Sequence, residues 1–296
     1  MHDLCVLRAV GGLNPTLEFG NILTRHLIAL FRAARLTLHI VYGLMMAVFY
    51  PWFGMKIRRR ILQSWSAGLL DIFNVRIDLD EHDPLHSLRR GLIVTNHISW
   101  LDVFVLNAVV PMRFVAKSEV RRWPVIGWLC ARAQTLFLER GKARSAARIN
   151  VQMVSLLQSG ECLAIFPEGT TTDGTTVAHF HSSLLQPAID AGALLHPVAI
   201  RYQDSDGTHS TAAAYINEMS FGTSMWNILS TPELHVRLIA TPELDAQSLD
   251  RRSLTRISHE HISTALHKAA SLTLNTTIQA TENTESELFQ PSIASS

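Results

Sequence analysis

Asn96-His97-Ile98-Ser99-Trp100-Leu101-Asp102 joins one apolar run to another, and its reading decides the fold. Before it, Gly91-Leu92-Ile93-Val94-Thr95 is short and rich in β-branched residues, which predicts a buried strand. After it, Leu101 to Val110 is apolar nearly all round, as a buried helix would be. His97 therefore falls at a strand-to-helix turn. Ser99 and Asp102 have the S-x-x-D spacing of a capping box, which predicts Ser99 as the N-cap and Asp102 in the first turn, where the helix dipole favours negative charge. A carboxylate beside an imidazole fixes its tautomer and stabilises the imidazolium formed when the ring takes a proton. The pair is a candidate general base, although the same spacing also serves as a plain helix cap.

Outward from this turn, short apolar runs alternate with helical patterns. Val75 to Leu79, Phe114-Val115-Ala116, Thr135 to Leu138, Cys162 to Ile165, Leu195 to Tyr202 and Leu234 to Ala240 read as strands. Arg58 to Asn74 reads as a helix, and Ala147, Val151, Val154 and Leu157 have helical spacing that stops at Gly160. Ser183 to Ala191 and Ser248 to Ala269 read as helices too. The alternation predicts an α/β fold, a mixed sheet flanked by helices over residues 75–270, with polar side chains gathered at strand ends. Gln203 to Glu233 reads as irregular cover for a sheet edge, and the Ser/Thr/Glu-rich residues 271–296 as a disordered tail.

The N-terminal quarter is different. Residues 1–20 lack periodicity and read as a loose leader, followed by a membrane-associated helical region over residues 21–74. Leu36 to Phe53 is apolar apart from Thr37 and His39, about the shortest run that crosses a bilayer. Basic residues flank it on both sides, which argues for a segment lying along or dipping into one leaflet, with Tyr42, Tyr50 and Trp52 near the interface. A buried core helix would have the same composition. No acidic residue occurs from Phe19 to Leu70, whereas Arg25, Arg32, Arg35, Lys56, Arg58, Arg59 and Arg60 would draw this region to anionic lipid. The 296 residues carry a net charge of only +1, which predicts no nucleic-acid partner. Cys5, Cys130 and Cys162 are few and scattered, as reduced thiols in a cytosolic setting would be, and no signal-peptide pattern precedes the first apolar run.

A second constellation follows the strand that ends at Ile165. Phe166-Pro167-Glu168-Gly169-Thr170 delivers a carboxylate and a permissive glycine at a strand end, because Pro167 restricts Phe166 to extended geometry. Taken with Asn96-His97 and Asp102, with Phe137-Leu138-Glu139-Arg140-Gly141 and with His196-Pro197-Val198-Ala199-Ile200, it resembles the four ordered blocks of the glycerolipid acyltransferases related to lysophosphatidic acid acyltransferase. Val115-Ala116-Lys117-Ser118-Glu119 and Phe180-His181-Ser182-Ser183-Leu184-Leu185 are similar to that family as well, and the resemblance spans roughly residues 60–205. It implies that His97, with Asp102 as partner, takes the proton of an acceptor hydroxyl that then attacks an acyl thioester. It also implies that Arg140 and Lys117 meet the acceptor phosphate, and that Glu168, Gly169 and Thr170 form the acceptor-site loop, with a backbone N–H near Gly169 as a candidate oxyanion donor. The implied acceptor is 1-acylglycerol 3-phosphate, and the donor is acyl-CoA or acyl carrier protein, with no other cofactor and no metal. The implied location is the cytoplasmic face of the inner membrane of a bacterium. One departure bears on the acceptor: where many family members carry a basic residue after the glycine-threonine pair, Thr171-Thr172-Asp173-Gly174 follows here. Asp173 could pair the amine of a lyso-ornithine lipid, the rival acceptor.

Other chemistries fit less well. A serine hydrolase needs a G-x-S-x-G elbow, which the chain lacks, and Ser99 is too near His97 in sequence to be presented to it. A non-catalytic membrane-binding protein would explain only the N-terminal region. His179-Phe180-His181 and His259-Glu260-His261 lack the spacing of a zinc site with a third ligand.

Overall fold

Strands form at the apolar runs and helices fill the intervals. In chain order the elements are α1 (Pro15–Phe49), α2 (Met55–Phe73), β1 (Val75–Asp78), β2 (Gly91–Thr95), α3 (Asp102–Val109), β3 (Arg113–Lys117), α4 (Ile126–Arg132), β4 (Leu136–Leu138), α5 (Ala143–Gln158), β5 (Cys162–Ile165), α6 (Gln186–Ala191), β6 (Leu194–Gln203), α7 (Phe221–Ser230), β7 (Leu234–Ala240), β8 (Leu244–Asp245) and α8 (Arg251–Leu288). The structure, a computed structural model, describes residues 15–139 and 141–288, with side chains described for residues 24–139 and 141–272.

One sheet takes the order β1-β7-β6-β2-β5-β3-β4, with β8 beside β6. β6, β2, β5, β3 and β4 run parallel, β7 is antiparallel to β6, and β1 is parallel to β7, so the sheet is mixed as the alternation predicts. β2 and β5 are buried along their whole length, which is why their sequences are continuous apolar runs rather than alternating ones. Successive residues feed two cores. Ile93, Ala164, Val198, Ile200 and Tyr202 pack with α1, α2, α3 and α7, whereas Leu92, Val94, Leu163, Ile165 and Ala199 pack with α5, α6 and α8. The C-terminal ends of the parallel strands share one end of the sheet, and the polar motifs leave from there.

Several local expectations change. α3 starts at Asp102 with Leu101, not Ser99, in the N-cap position. Ser99 Oγ accepts from Leu101 N at 3.2 Å while Asp102 Oδ2 accepts from Ser99 N at 3.0 Å, so only the return half of the capping box forms. Between Gln203 and Glu233, where the sequence reads as irregular, lies α7; Ser220 caps it by accepting from Thr223 N at 3.1 Å. This segment borders His97 rather than the sheet edge, because Tyr215 N donates to Ile98 O at 3.0 Å and Trp100 Nε1 donates to Ser224 Oγ at 3.0 Å. α1 begins at Pro15, inside the expected leader, as suits a proline in a first turn. α8 runs on to Leu288, past the expected start of a disordered tail, since extending an established helix costs far less than nucleating one. Residues 1–14 and 289–296 lie outside the described residues.

The α1 surface divides in two. Leu27, Phe31, Leu38, Val41, Met45 and Val48 are exposed at helical spacing, while Ala29, Arg32, Leu36 and Ala47 face inward. α1 and α2 approach closely at glycines: a Cβ on Gly43 would come within 2.4 Å of Trp65 Nε1, and one on Gly68 within 2.9 Å of His39 Cε1. Two arginines expected to face lipid instead bond within the protein, Arg32 buried and Arg35 at the surface. Arg32 donates to the carbonyls of Leu229, Thr231 and Pro232 at 3.0, 2.5 and 2.7 Å, capping the end of α7, and Arg35 pairs with Asp71 at 2.8 Å. Thr24–Trp52 is long and apolar enough to cross a membrane.

Candidate active site

Asn96 continues the sheet for one step after β2 ends. Its Nδ2 donates to Ile200 O at 2.9 Å and its Oδ1 accepts from Ile200 N at 2.8 Å, so the exit of the chain from the strand is fixed from β6. His97 follows, held at both peptide groups by the loop after β5: its N–H donates to Glu168 Oε1 at 2.7 Å and its carbonyl accepts from Thr172 N at 2.8 Å. The imidazole stacks on Phe166 with centroids 3.9 Å apart, and Phe166 stacks in turn on Phe114. Side-chain burial completes the clamp, leaving the His97 side chain 20% exposed.

Asp102 is fully buried beneath this ring. Its Oδ2 accepts from His97 Nδ1 at 2.9 Å, Ile98 N at 2.8 Å and Ser99 N at 3.0 Å, and its Oδ1 accepts from Tyr202 OH at 2.8 Å. Four donors on two oxygens suit a carboxylate, which accepts at every lone pair. Nδ1 must then carry its proton, and the lone pair lies on Nε2, which makes no hydrogen bond among the described residues. Tyr202 is buried completely; burial first, then the Asp102 charge, holds its phenol well above the ordinary range, so it stays a donor. The arrangement can take a proton at Nε2 and stabilise the charge that results.

Glu168 faces inward rather than toward an acceptor. It is 3% exposed, and its two oxygens accept from His97 N and Ala178 N, each at 2.7 Å. Burial pushes its carboxyl up to about 7 against the pull of those two bonds. Gly169 adopts φ 65° and its N–H donates to Phe166 O at 3.0 Å, so this N–H closes the turn instead of awaiting an oxyanion. Thr170 is exposed. Lys117 ends β3 at the same end of the sheet, exposed, two strands from His97 and so about 10 Å away across the sheet. Arg140, two residues beyond β4, lies outside the described residues. Asp173 accepts from Thr175 N at 2.9 Å and Thr175 Oγ1 at 2.7 Å, and these bonds keep its carboxyl below the usual range.

Sequence reasoning missed Tyr202 and Phe166. The signal for the first was a tyrosine one residue short of the end of a largely buried strand, although its partner is 100 residues away. Among the described residues no cluster of three or more His, Cys, Asp or Glu side chains could hold a metal.

An open α/β sheet with a His-Asp pair at the parallel strand ends defines a candidate proton-transfer site. Comparison with known proteins makes the class specific. The Acyltransferase family model matches residues 76–201. A lyso-ornithine lipid O-acyltransferase from Pseudomonas aeruginosa is 33% identical over 254 residues, covering 82% of this chain and 95% of that protein. A 1-acyl-sn-glycerol-3-phosphate acyltransferase from Neisseria meningitidis is 34% identical over 198 residues, covering 67% and 77%. In fold, the chain is similar to the crystal structure of the 1-acyl-sn-glycerophosphate acyltransferase from Thermotoga maritima, with a TM-score of 0.64, 20% identity, and 84% and 97% of the two chains covered. The chain belongs to this acyltransferase family and is a glycerolipid-type acyltransferase.

Proposed function

We propose that the protein transfers an acyl chain from a thioester donor to the free hydroxyl of a lyso-lipid, with His97 as general base. The alignment of Tyr202, Asp102 and His97 carries this reading. Nε2 takes the hydroxyl proton, the oxygen attacks the thioester carbonyl, and the tetrahedral intermediate collapses to ester and thiolate. The imidazolium then returns the proton to the departing sulfur. General-base help of this kind is worth roughly a hundred- to ten-thousand-fold, and the bound geometry of the two substrates supplies much of the remainder.

The acceptor we propose is 1-acylglycerol 3-phosphate, its phosphate met by Lys117 and Arg140. Charge supports this, since a phosphate taken out of water needs cations. The second reading is a lyso-ornithine lipid, favoured by the relative from Pseudomonas aeruginosa, whose alignment extends over nearly its whole length. Acyl-CoA or acyl carrier protein is the donor. The exposed stripe of α1 is proposed to lie on one leaflet of the cytoplasmic membrane, because the opposite side of the same helix is packed on α2 and α7. Purified protein offered both lyso-lipids with an acyl thioester, with products read by mass spectrometry, tests the assignment. Phosphatidic acid as the main product supports the first acceptor. Acylated ornithine lipid without phosphatidic acid would replace it while leaving the mechanism standing.

A further inference from the structure

The lipid-facing stripe of α1 and the donor's route need not share a side of the sheet. α1, α2, α3 and α7 cover one face, and a water-soluble donor reaches the sheet's C-terminal end more easily from the other, where α8 lies over β6. Near the C-terminal end of β6, on that second face, the structure contains an electrostatic anomaly. Arg201 and Arg237 are direct cross-strand partners in the antiparallel β6–β7 pair. Like charges placed opposite each other on a sheet repel. Arg201 is only 7% exposed, and its Nε is buried without a hydrogen-bond partner. Burial, followed by the charge of Arg237, works against its protonated form. Asp78, in register with Arg237 on the neighbouring strand, directs its carboxylate to His235 at 3.3 Å, and no ion pair to Arg201 or Arg237 occurs among the described residues.

His209 belongs to the same patch. It pairs with Gln203 across a β-bridge, and Gln203 is two residues from Arg201 and so on the same face. Both of its ring nitrogens are buried without a hydrogen-bond partner, although the Asp173 carboxylate lies near enough to interact with it electrostatically. Its Cε1 lies 3.3 Å from where a Cβ on Gly174 would be, which brings the loop after Glu168 alongside. Buried cations are ordinarily paired, and two guanidinium groups that form no ion pair among the described residues fit an oxyanion, whose tetrahedral oxygens match their fork geometry.

We propose that Arg201 and Arg237, with His209 beside them, bind the phosphate on the pantetheine arm of the acyl donor. The inference rests on the thioester-donor reading above. Its geometry suits that role. Arg201 directly follows Ile200, the residue that Asn96 grips, so Arg201 stands one strand and Arg237 two strands from His97, on the face opposite the α1 stripe. Coenzyme A and acyl carrier protein both carry this phosphate, whereas an S-acyl pantetheine lacks it, and that difference supplies the test.

Steady-state kinetics of wild type, Arg201→Gln and Arg237→Gln should be measured with acyl-CoA, acyl carrier protein and S-acyl pantetheine. Each substitution is expected to raise KM for a phosphate-bearing donor about tenfold or more, as loss of a charge-assisted contact would. KM for the lyso-lipid and for S-acyl pantetheine should not change. A rise with only one of the two phosphate-bearing donors identifies that donor as the source of the phosphate. An unchanged donor KM, or an equal rise with S-acyl pantetheine, overturns the proposal. If Arg201→Gln fails to fold, Arg237→Gln on the half-buried partner decides. Calorimetric binding of free coenzyme A and of pantetheinylated carrier protein, which needs no turnover, separates this proposal from the catalytic reading. Binding weakened by Arg237→Gln supports the site even if the acceptor is misassigned, and absence of binding to both by wild type overturns it.

Discussion

Asp102 is the fixed point around which His97 operates, because its two oxygens answer four donors at once. Asp102→Asn sets an amide donor against some of those donors and removes the charge that supports the imidazolium, so kcat should fall on the order of a thousandfold. His97→Ala should remove turnover to the same extent or more, with circular dichroism unchanged. Wild-type turnover by either folded variant would end the mechanism. Tyr202→Phe deletes a single hydrogen bond worth about 1 kcal/mol and should cost about fivefold in kcat at unchanged acceptor KM.

Glu168 gives a residue-scale prediction about pH. Its carboxyl is held near 7 in the folded protein, above its ordinary 4.5, so between those values the native state keeps a proton that the unfolded chain has released. Stability must therefore decline as pH rises from about 4.5 to about 7 and level off above, by an amount on the order of 3 kcal/mol. Glu168→Gln does not titrate and, although its amide meets one of the two backbone donors poorly, that penalty does not vary with pH. The melting temperature of wild type should thus drop relative to the variant between about pH 5 and pH 7.5. A difference that stays constant over this range would show that Glu168 is not the group responsible.

At the scale of elements, what the sequence made legible was local. The apolar runs of β2, β5 and β6 and the turn from His97 to Asp102 depend on neighbours a few residues away, and their pattern survives in any context. What it concealed depends on distant pairing. The inward aim of Glu168 comes from a contact with a residue 71 positions away, and the role of Tyr202 from one 100 positions away. α7 escaped notice because half of its ten residues are Gly, Ser, Thr or Asn, the composition of a loop. Arg32 is the plainest case: a basic residue in an apolar stretch suggested lipid, yet it crosses 197 residues of sequence to cap α7. Arg32→Ala should leave those carbonyls without their donor and destabilise the protein by about 3 kcal/mol, read as a lower urea midpoint at unchanged slope. A midpoint equal to wild type would mean that the α1–α7 contact is dispensable.

For the whole molecule, the two faces of α1 decide how membrane association should be tested. Ala29 and Leu36 are part of the core that also holds Ile72, Phe73 and Ile228, so removing the helix would expose that core and confuse unfolding with release. Substitutions confined to the outer stripe avoid this. Phe31, Leu38 and Met45 are 65%, 72% and 57% exposed and lie along one side of the helix. Changing all three to glutamate removes apolar surface that would enter a leaflet and adds charge that anionic lipid repels, while leaving Arg32 and the inner face untouched. The triple variant should keep its melting temperature in detergent yet fail to co-sediment with anionic vesicles. Wild-type binding should weaken at high salt to the extent that exposed Arg25, Lys56 and Arg60 contribute. Activity toward a lyso-lipid dispersed in detergent should largely persist in the variant, since its catalytic groups are unchanged, whereas activity toward the same lyso-lipid embedded in vesicles should fall with the bound fraction. Vesicle binding equal to wild type would exclude the α1 stripe as the membrane contact.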